Sequence, residues 1–203
     1  MNFVDPKHLL ETFGTVGLFL IVFAESGLFV GFFLPGDSLL FTAGVFAARG
    51  DLNFPVIALG CFIAAAAGDQ VGYAFGNRVG PALFRRDDSR FFKKEYVEKA
   101  QGYFDRHGSK TIVLARFVPI VRTFAPIVAG VGKMPYRTFV TFNLIGALLW
   151  AVGVTTLGYT AGNAIGADNI DKYLLPIILV IIAVSFIPVA IEVRRERRKS
   201  KTP

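Results

Sequence analysis

Five charged residues lie inside apolar stretches of this 203-residue chain, three acids and two arginines: Glu25, Asp37, Asp69, Arg116 and Arg122. A charge at the centre of a membrane helix costs about 2.5–3.5 kcal/mol on insertion scales, so each of them needs a partner or a function. Acids and arginines that only neutralise each other would satisfy this need. For Asp69 that explanation and a functional role are equally open, whereas a functional role is favoured for the other four.

The two arginines lie six residues apart on either side of Pro119. The planar guanidinium group of arginine binds two phosphate oxygens at once and stays cationic in a partly dry site. The spacing therefore predicts that Arg116 and Arg122 bind a substrate phosphate. Glu25 and Asp37 are the candidates for proton coupling or gating, because a carboxyl group can take up and release a proton, and Asp69 is a possible secondary site residue.

The composition indicates that much of the chain lies in lipid. Hydrophobic residues make up 53% of it, mean hydropathy is +0.52, and phenylalanine alone contributes 21 residues, more than a soluble core of this size needs. One cysteine excludes an intrachain disulfide and two histidines exclude a histidine-rich metal site, so no cofactor is expected. The formal charge of +7 lies in blocks that flank apolar stretches, which argues against a nucleic-acid partner.

Four stretches have about the 20 mostly apolar residues that a membrane-crossing helix needs: Phe13–Leu34, Phe54–Phe75, Phe139–Tyr159 and Leu174–Ile191. Asp69 is expected near the cytoplasmic end of the second. Two further segments, Ser38–Ala48 and Thr111–Val131, are predicted to enter the membrane as re-entrant hairpins. The first is too short to cross, and the second is interrupted at Arg116, Pro119, Arg122 and Pro126. The alternatives are a surface core helix for the first and an ordinary span for the second.

Basic residues are concentrated in the segment Arg78–Lys110 and in the tail Arg194–Lys201. The positive-inside rule therefore places both segments, and both termini, in the cytoplasm. Aromatic residues recur at helical spacing between Phe92 and Phe104, which predicts an amphipathic helix at the membrane surface. A solvated linker helix is the alternative for this stretch.

An internal repeat accompanies this pattern. The glycines and tyrosine of Gly72–Gly80 recur in Gly158–Gly166, and Phe33–Pro35 matches Phe117–Pro119 upstream. The predicted topology gives the two units opposite orientations, as in the inverted repeats of secondary transporters. The glycines are predicted to be close helix contacts rather than ligand contacts. The chain is then one domain made of repeat 1 (about 33–80), a linker (81–110), repeat 2 (111–166), a terminal span (174–191) and a basic tail (192–203).

Several ordered motifs resemble the DedA family, the bacterial relatives of the SNARE-associated or VTT-domain membrane proteins. Glu25 is followed by Leu34–Ser38, then by Gly68–Tyr73, then by Arg116–Arg122. The resemblance implies a bacterial inner-membrane protein with two re-entrant hairpins, which agrees with the all-α membrane fold of four spans and two hairpins predicted from the apolar segments. It also implies that the family's essential acidic pair falls on Glu25 and Asp37, and its arginine pair on Arg116 and Arg122. Family members are linked to recycling of undecaprenyl phosphate and to dependence on the proton gradient.

The function expected from these residues and this resemblance is a flippase, not an enzyme. Its partners would be protons and an anionic membrane lipid, either undecaprenyl phosphate or a related carrier. A proton-coupled small-ion antiporter is the alternative, since it would need the acids but could use the arginines as counter-ions. A lipid phosphatase is less favoured, because such enzymes normally need a histidine beside the arginines, and His8 and His107 lie outside the spans.

Overall fold

The computed structural model of the protein describes residues 6–27, 36–85, 108–165 and 176. Those ranges are almost entirely helical and contain no β-strand, as the sequence predicted for an all-α fold. The helices are α1 (Pro6–Gly27), α2 (Gly36–Ala48), α3 (Phe54–Arg85), α4 (Lys110–Ala115), α5 (Pro119–Val131), α6 (Tyr136–Ala147), a π-helical turn (Leu148–Val152) and α7 (Gly153–Ile165).

Two of the described helical stretches are long and apolar enough to cross a bilayer. They are Phe54–Val79 within α3, with 26 residues, and Tyr136–Ile165, with 30 residues, which joins α6, the π turn and α7. At about 1.5 Å per residue both exceed the roughly 30 Å of a hydrocarbon core. Leu59, Ile63 and Leu148 are among the large apolar side chains that these stretches expose. They contain the second and third spans predicted from the sequence.

Helix α3 continues beyond the predicted span to Arg85, so Asp69 lies in the middle of the helix, and the helix also passes the predicted repeat boundary near residue 80. The position of Asp69 near the cytoplasmic end of the span stays a prediction. Two glycines on either side of Phe75 pack against α5. A Cβ atom on Gly72 would lie 3.3 Å from Cβ of Pro126, and one on Gly76 would overlap the backbone of Ile127.

The remaining apolar helices are shorter. Helices α2 and α5 have 13 residues each, about 20 Å, and therefore fall short of a full crossing. Helix α1 is interrupted at Gly14, whose φ of 60° and ψ of −160° suit glycine, and its apolar part runs from Gly14 to Gly27. The number of spans and the re-entrant path of α2 and α5 through a membrane stay predictions.

The segment predicted as the second hairpin is broken once. The break lies between α4 and α5, where Val118 takes an extended conformation (φ −119°, ψ 107°) because helical geometry is disfavoured before a proline. Pro119 then begins α5, where its missing N–H costs no hydrogen bond. The prediction that Arg122 and Pro126 also interrupt the segment was wrong, since both lie inside α5, whose Pro126 packs against α3.

Several predicted elements lie outside the described residues. They are the fourth span apart from Pro176, the surface helix between Phe92 and Phe104, the basic tail, and the Phe33–Pro35 half of one repeat match. These elements stay predictions.

Glycines make the closest contacts between helices, as predicted. Helix α2 packs on α7 where Gly44 meets Gly158, and a Cβ atom on Gly44 would lie 2.8 Å from the backbone nitrogen of Tyr159. Helix α5 packs on α3 where Gly130 meets Gly76. The short helix of each predicted repeat therefore packs on the long helix of the other.

The packing and the sequence match differ in register by about one helical turn. In the sequence match between the two repeats, Gly158 corresponds to Gly72. In the helix contacts, Gly158 occupies the position that is equivalent to that of Gly76. Reciprocal packing is what a two-unit repeat predicts, and the opposite orientation of the units across a membrane stays a prediction.

Alanine at Gly158 is expected to destabilise the protein by roughly 1–3 kcal/mol, because the new methyl group would overlap the backbone of Phe41 in α2. The matched control is Gly153→Ala on the same helix, where a Cβ atom would meet nothing within 4 Å. We expect that control to be neutral or stabilising by up to about 1 kcal/mol. Equal unfolding temperatures of the two variants in detergent would contradict the assigned contact.

Candidate functional site

The five charged residues singled out in the sequence lie together where the helices meet. Glu25 comes from the end of α1, Asp37 from the first turn of α2 and Asp69 from the middle of α3. Arg116 lies at the break between α4 and α5, and Arg122 lies in the first turns of α5. Four are buried at 2–4% exposure, whereas the Asp37 side chain is 23% exposed. We call these five residues the charge cluster.

Arg122 donates hydrogen bonds to both carboxylates that the sequence predicted for proton coupling, Glu25 and Asp37. Its Nη1 donates to Oδ1 of Asp37 at 2.9 Å, and its Nη2 donates to Oε1 of Glu25. The guanidinium carbon lies 4.4 Å from the centre of the Trp150 ring, within range of a cation–π contact. Trp150 also donates its indole N–H to Oδ1 of Asp37 at 2.6 Å. Arg122 is therefore fixed by two carboxylates and one aromatic ring.

Arg116 forms a separate pair with Asp69. Its Nη2 donates to Oδ2 of Asp69 and to Oδ1 of Asn143, the latter at 2.7 Å. Asn143 is held in turn by its own Nδ2, which donates to the backbone oxygen of Ala66 at 3.1 Å. The Nε and Nη1 atoms of Arg116 have no hydrogen-bond partner among the described residues. Two of its nitrogens are thus left for another acceptor.

The break between α4 and α5 brings the two arginines into one cluster. In a continuous helix, residues six apart would point in directions roughly 120° apart. Two glycines make room beside the charged side chains. A Cβ atom on Gly146 would lie 2.9 Å from Cδ of Arg116, and one on Gly36 would overlap the carboxyl group of Glu25.

A cavity of about 260 Å³ extends from the protein surface to the charge cluster. Its polar lining consists of Asp37, Arg116 and the indole of Trp150. Its other walls are apolar, and two of them, Phe117 and Leu157, are 54% and 63% exposed. The cavity therefore has a charged inner end and an opening among exposed apolar side chains.

The structure separates the predicted site residues into two groups. Arg116 and Asp37 line the cavity, whereas Arg122 and Glu25 lie behind Asp37 and Trp150 and are not part of the lining. The sequence prediction that both arginines contact a phosphate therefore applies more directly to Arg116. The functional roles of all five residues stay predictions.

Sequence reasoning missed two residues of this site, Asn143 and Trp150. Each carried a signal. Asn143 is a polar residue in a stretch that was considered only for charge, and its burial is complete. Trp150 is the only tryptophan of the chain and lies in the middle of a span, whereas membrane tryptophans concentrate at the two interfaces.

Comparison with known proteins places these residues in a family. Residues 34–160 match the VTT domain. The chain is 46% identical over 199 residues to Protein DedA of Escherichia coli (strain K12), covering 94% of this chain and 90% of the relative. It is 38% identical over 203 residues to an uncharacterized membrane protein of Mycobacterium leprae (strain TN), covering 100% and 91%. No solved structure matches it.

A more distant relative is the inner membrane protein YqjA of Escherichia coli (strain K12), 36% identical over 146 residues, covering 72% of this chain and 66% of the relative. The VTT match covers more than half of the chain and includes four residues of the charge cluster together with Asn143 and Trp150. Two of these relatives are named as membrane proteins, and the described part of this chain has two apolar helices long enough to cross a bilayer. The chain is a membrane protein, and it belongs to the DedA family of VTT-domain proteins.

Proposed function

We propose that the protein moves an anionic lipid with a phosphate headgroup across the membrane, with undecaprenyl phosphate as the first candidate, and that it couples this movement to protons. The observation that carries the proposal is the cavity. It brings Arg116 and Asp37 to the inner end of a recess whose opening is apolar. A ligand that matches it is charged at one end and hydrocarbon at the other.

The size of the cavity fits a headgroup and not a whole lipid. Pockets that enclose drug-sized ligands are typically about 300–1,000 Å³, and this cavity has about 260 Å³. The hydrocarbon chain would therefore stay in the bilayer and leave past Phe117 and Leu157. A lipid can enter such a site sideways from the membrane.

Arg116 is the residue that would bind the phosphate. Guanidinium groups bind phosphate through two parallel N–H bonds, which come from Nη2 together with Nε or Nη1. Nη2 of Arg116 is bonded to Asp69 and Asn143, whereas Nε and Nη1 have no acceptor among the described residues. Both atoms are buried in this conformation, so a phosphate would reach them as the side chain turns away from Asp69. Binding would then exchange one anionic partner of Arg116 for another.

The charge balance supports proton coupling. Three carboxylates face two guanidinium groups in the cluster, which leaves a formal charge of −1 when all five groups are ionised. An entering phosphate adds negative charge at a buried site, where unbalanced charge is costly. Uptake of a proton by one carboxyl group, Glu25 or Asp37, would offset part of that cost. The protein would then act in the bacterial inner membrane, with both termini in the cytoplasm.

Transport in reconstituted liposomes tests the proposal. We expect purified protein to accelerate transbilayer movement of undecaprenyl phosphate over protein-free liposomes, and an imposed proton gradient to change the rate further. Phosphatidylcholine in the same vesicles is the control lipid, because the single negative charge of its phosphodiester is balanced by the choline cation and its headgroup has no net charge. Equal rates with and without protein would contradict the proposal.

The same vesicles distinguish the competing functions. A proton gradient that collapses upon addition of a small ion, with no movement of lipid phosphate, would identify an ion antiporter instead. Release of inorganic phosphate from the lipid by purified protein would identify a phosphatase and contradict the expectation from the sequence that the protein is not an enzyme.

A further inference from the structure

Trp150 lies between the cavity and the buried pair of Arg122 and Glu25. One edge of its indole lines the cavity, its N–H is bonded to Asp37, and its ring faces the Arg122 guanidinium. Asp37 accepts bonds from Trp150 and Arg122 on the same oxygen, Oδ1. Trp150 therefore lines the cavity and also contacts both partners of the Arg122–Asp37 ion pair.

The backbone around Trp150 is unusual. Residues Leu148–Val152 form a π-helical turn in the middle of a long helix, a feature that is rare and is often found at functional sites. On this turn Leu148 and Leu149 are exposed, whereas Trp150 is buried at 2%. The turn therefore directs one large aromatic side chain inward from a helix that otherwise exposes leucines.

We propose that Trp150 is a positioning residue that links occupancy of the cavity to the Arg122–Asp37 ion pair. The inference rests on the proposed function, because it assigns Trp150 a part in the cycle of the same site. A phosphate that enters the cavity meets Asp37, whose negative charge repels it, and Trp150, whose N–H holds Asp37 in place. Movement of Asp37 away from the phosphate breaks the bond to the indole and changes the surroundings of Arg122 and Glu25.

Tryptophan fluorescence, excited at wavelengths that tyrosine does not absorb, reports on this residue alone, because Trp150 is the only tryptophan of the chain. We expect octyl phosphate to produce a saturable change in the tryptophan emission of the purified protein in detergent micelles, with a midpoint equal to the dissociation constant measured by calorimetry. Octanol, which has the same chain and no phosphate, is expected to produce no saturable change. Binding of octyl phosphate by calorimetry without a change in emission would overturn the inference.

A pair of substitutions separates the indole N–H from the ring. Trp150→Phe keeps a ring for Arg122 and loses the donor to Asp37, whereas Trp150→Leu loses both. In the liposome assay we expect Trp150→Phe to keep the half-saturating lipid concentration within about threefold and to lower the maximal rate by about tenfold. The control is Leu149→Phe on the exposed side of the same turn, for which no change is expected.

The outcomes distinguish this inference from the proposed function. If octyl phosphate does not bind at all, the proposed function and the inference about Trp150 are both contradicted. If wild type binds and transports lipid while Trp150→Phe keeps the full maximal rate, only the inference falls. Should Trp150→Phe fail to fold, the fluorescence titration of the wild-type protein still decides the question, since it requires no substitution.

Discussion

Arg122→Ala is expected to destabilise the folded protein by about 3–5 kcal/mol and to abolish lipid transport, because removal of one partner of a buried ion pair leaves the other charge uncompensated. Arg122 is the cationic partner that the described structure gives to Glu25, and it also binds Asp37. Unfolding of the variant and of the wild type in the same detergent measures the difference.

The matched control for this substitution is Arg137→Ala. Arg137 is exposed on α6, and surface substitutions usually change stability by less than about 0.5 kcal/mol. If Arg122→Ala were as stable as Arg137→Ala, the ion pair with Glu25 would not exist in the folded protein.

A double variant separates the structural part of Arg122 from its part in transport. Glu25→Gln combined with Arg122→Gln removes both charges of this buried pair and leaves Asp37 partly exposed and bonded to Trp150. We expect it to recover at least half of the lost stability and none of the transport. Recovery of both stability and transport would show that Arg122 and Glu25 only neutralise each other and have no role in transport.

Arg116→Ala is expected to lower the rate of lipid transport at low lipid concentration by roughly 10- to 100-fold. A hydrogen bond to a charged group contributes about 1.5–3 kcal/mol, and every 1.4 kcal/mol is about tenfold in affinity. Arg116→Lys should be intermediate, because a single ammonium group keeps the charge and loses the two-pronged contact with phosphate. The rates are measured in liposomes that contain equal amounts of folded protein.

Arg116→Ala also leaves Asp69 buried without its cation, and this effect has to be separated from the loss of phosphate binding. The double variant Arg116→Ala with Asp69→Asn removes both charges. We expect it to be more stable than Arg116→Ala and equally slow in transport. A double variant that transports at the wild-type rate would show that Arg116 serves only to neutralise Asp69.

The gathering of the charged residues could be predicted from the sequence, and their pairing could not. A charge in an apolar segment needs an oppositely charged partner or water, because the free-energy cost of burying it alone is high. One shared cluster could therefore be predicted. Which arginine takes which acid depends on how the helices pack. Asp37 and Arg122 are 85 positions apart, and Asp69 and Arg116 are 47 apart. Spacing along the chain leaves such choices open.

Local structure was predictable where a single residue dictates the backbone. Pro119 fixed the break between α4 and α5, because proline restricts the residue before it and suits the first position of a helix. The π turn around Trp150 has no comparable sequence signal, and neither has the extension of α3 beyond Phe75, where Gly76 packs against α5. Tertiary contacts decide such features, and a pattern of apolar residues does not contain them.

The glycines show what the sequence could predict and what it could not. Their repeated spacing predicted close helix contacts, and the contacts exist at Gly44 with Gly158 and at Gly76 with Gly130. The register of those contacts is one turn away from the register of the sequence match. Similar motifs therefore identified the contact surfaces without fixing which glycine meets which.

The most direct test of the account is the lipid preference of the purified protein. Native mass spectrometry of the protein with equal amounts of undecaprenyl phosphate, phosphatidic acid and phosphatidylglycerol measures it in one experiment. We predict that undecaprenyl phosphate is bound in preference to the other two and that Arg116→Ala loses this preference while Arg137→Ala keeps it. Binding of all three lipids in equal amounts, unchanged in Arg116→Ala, would contradict the claim that the cavity at Arg116 binds the phosphate of a lipid carrier.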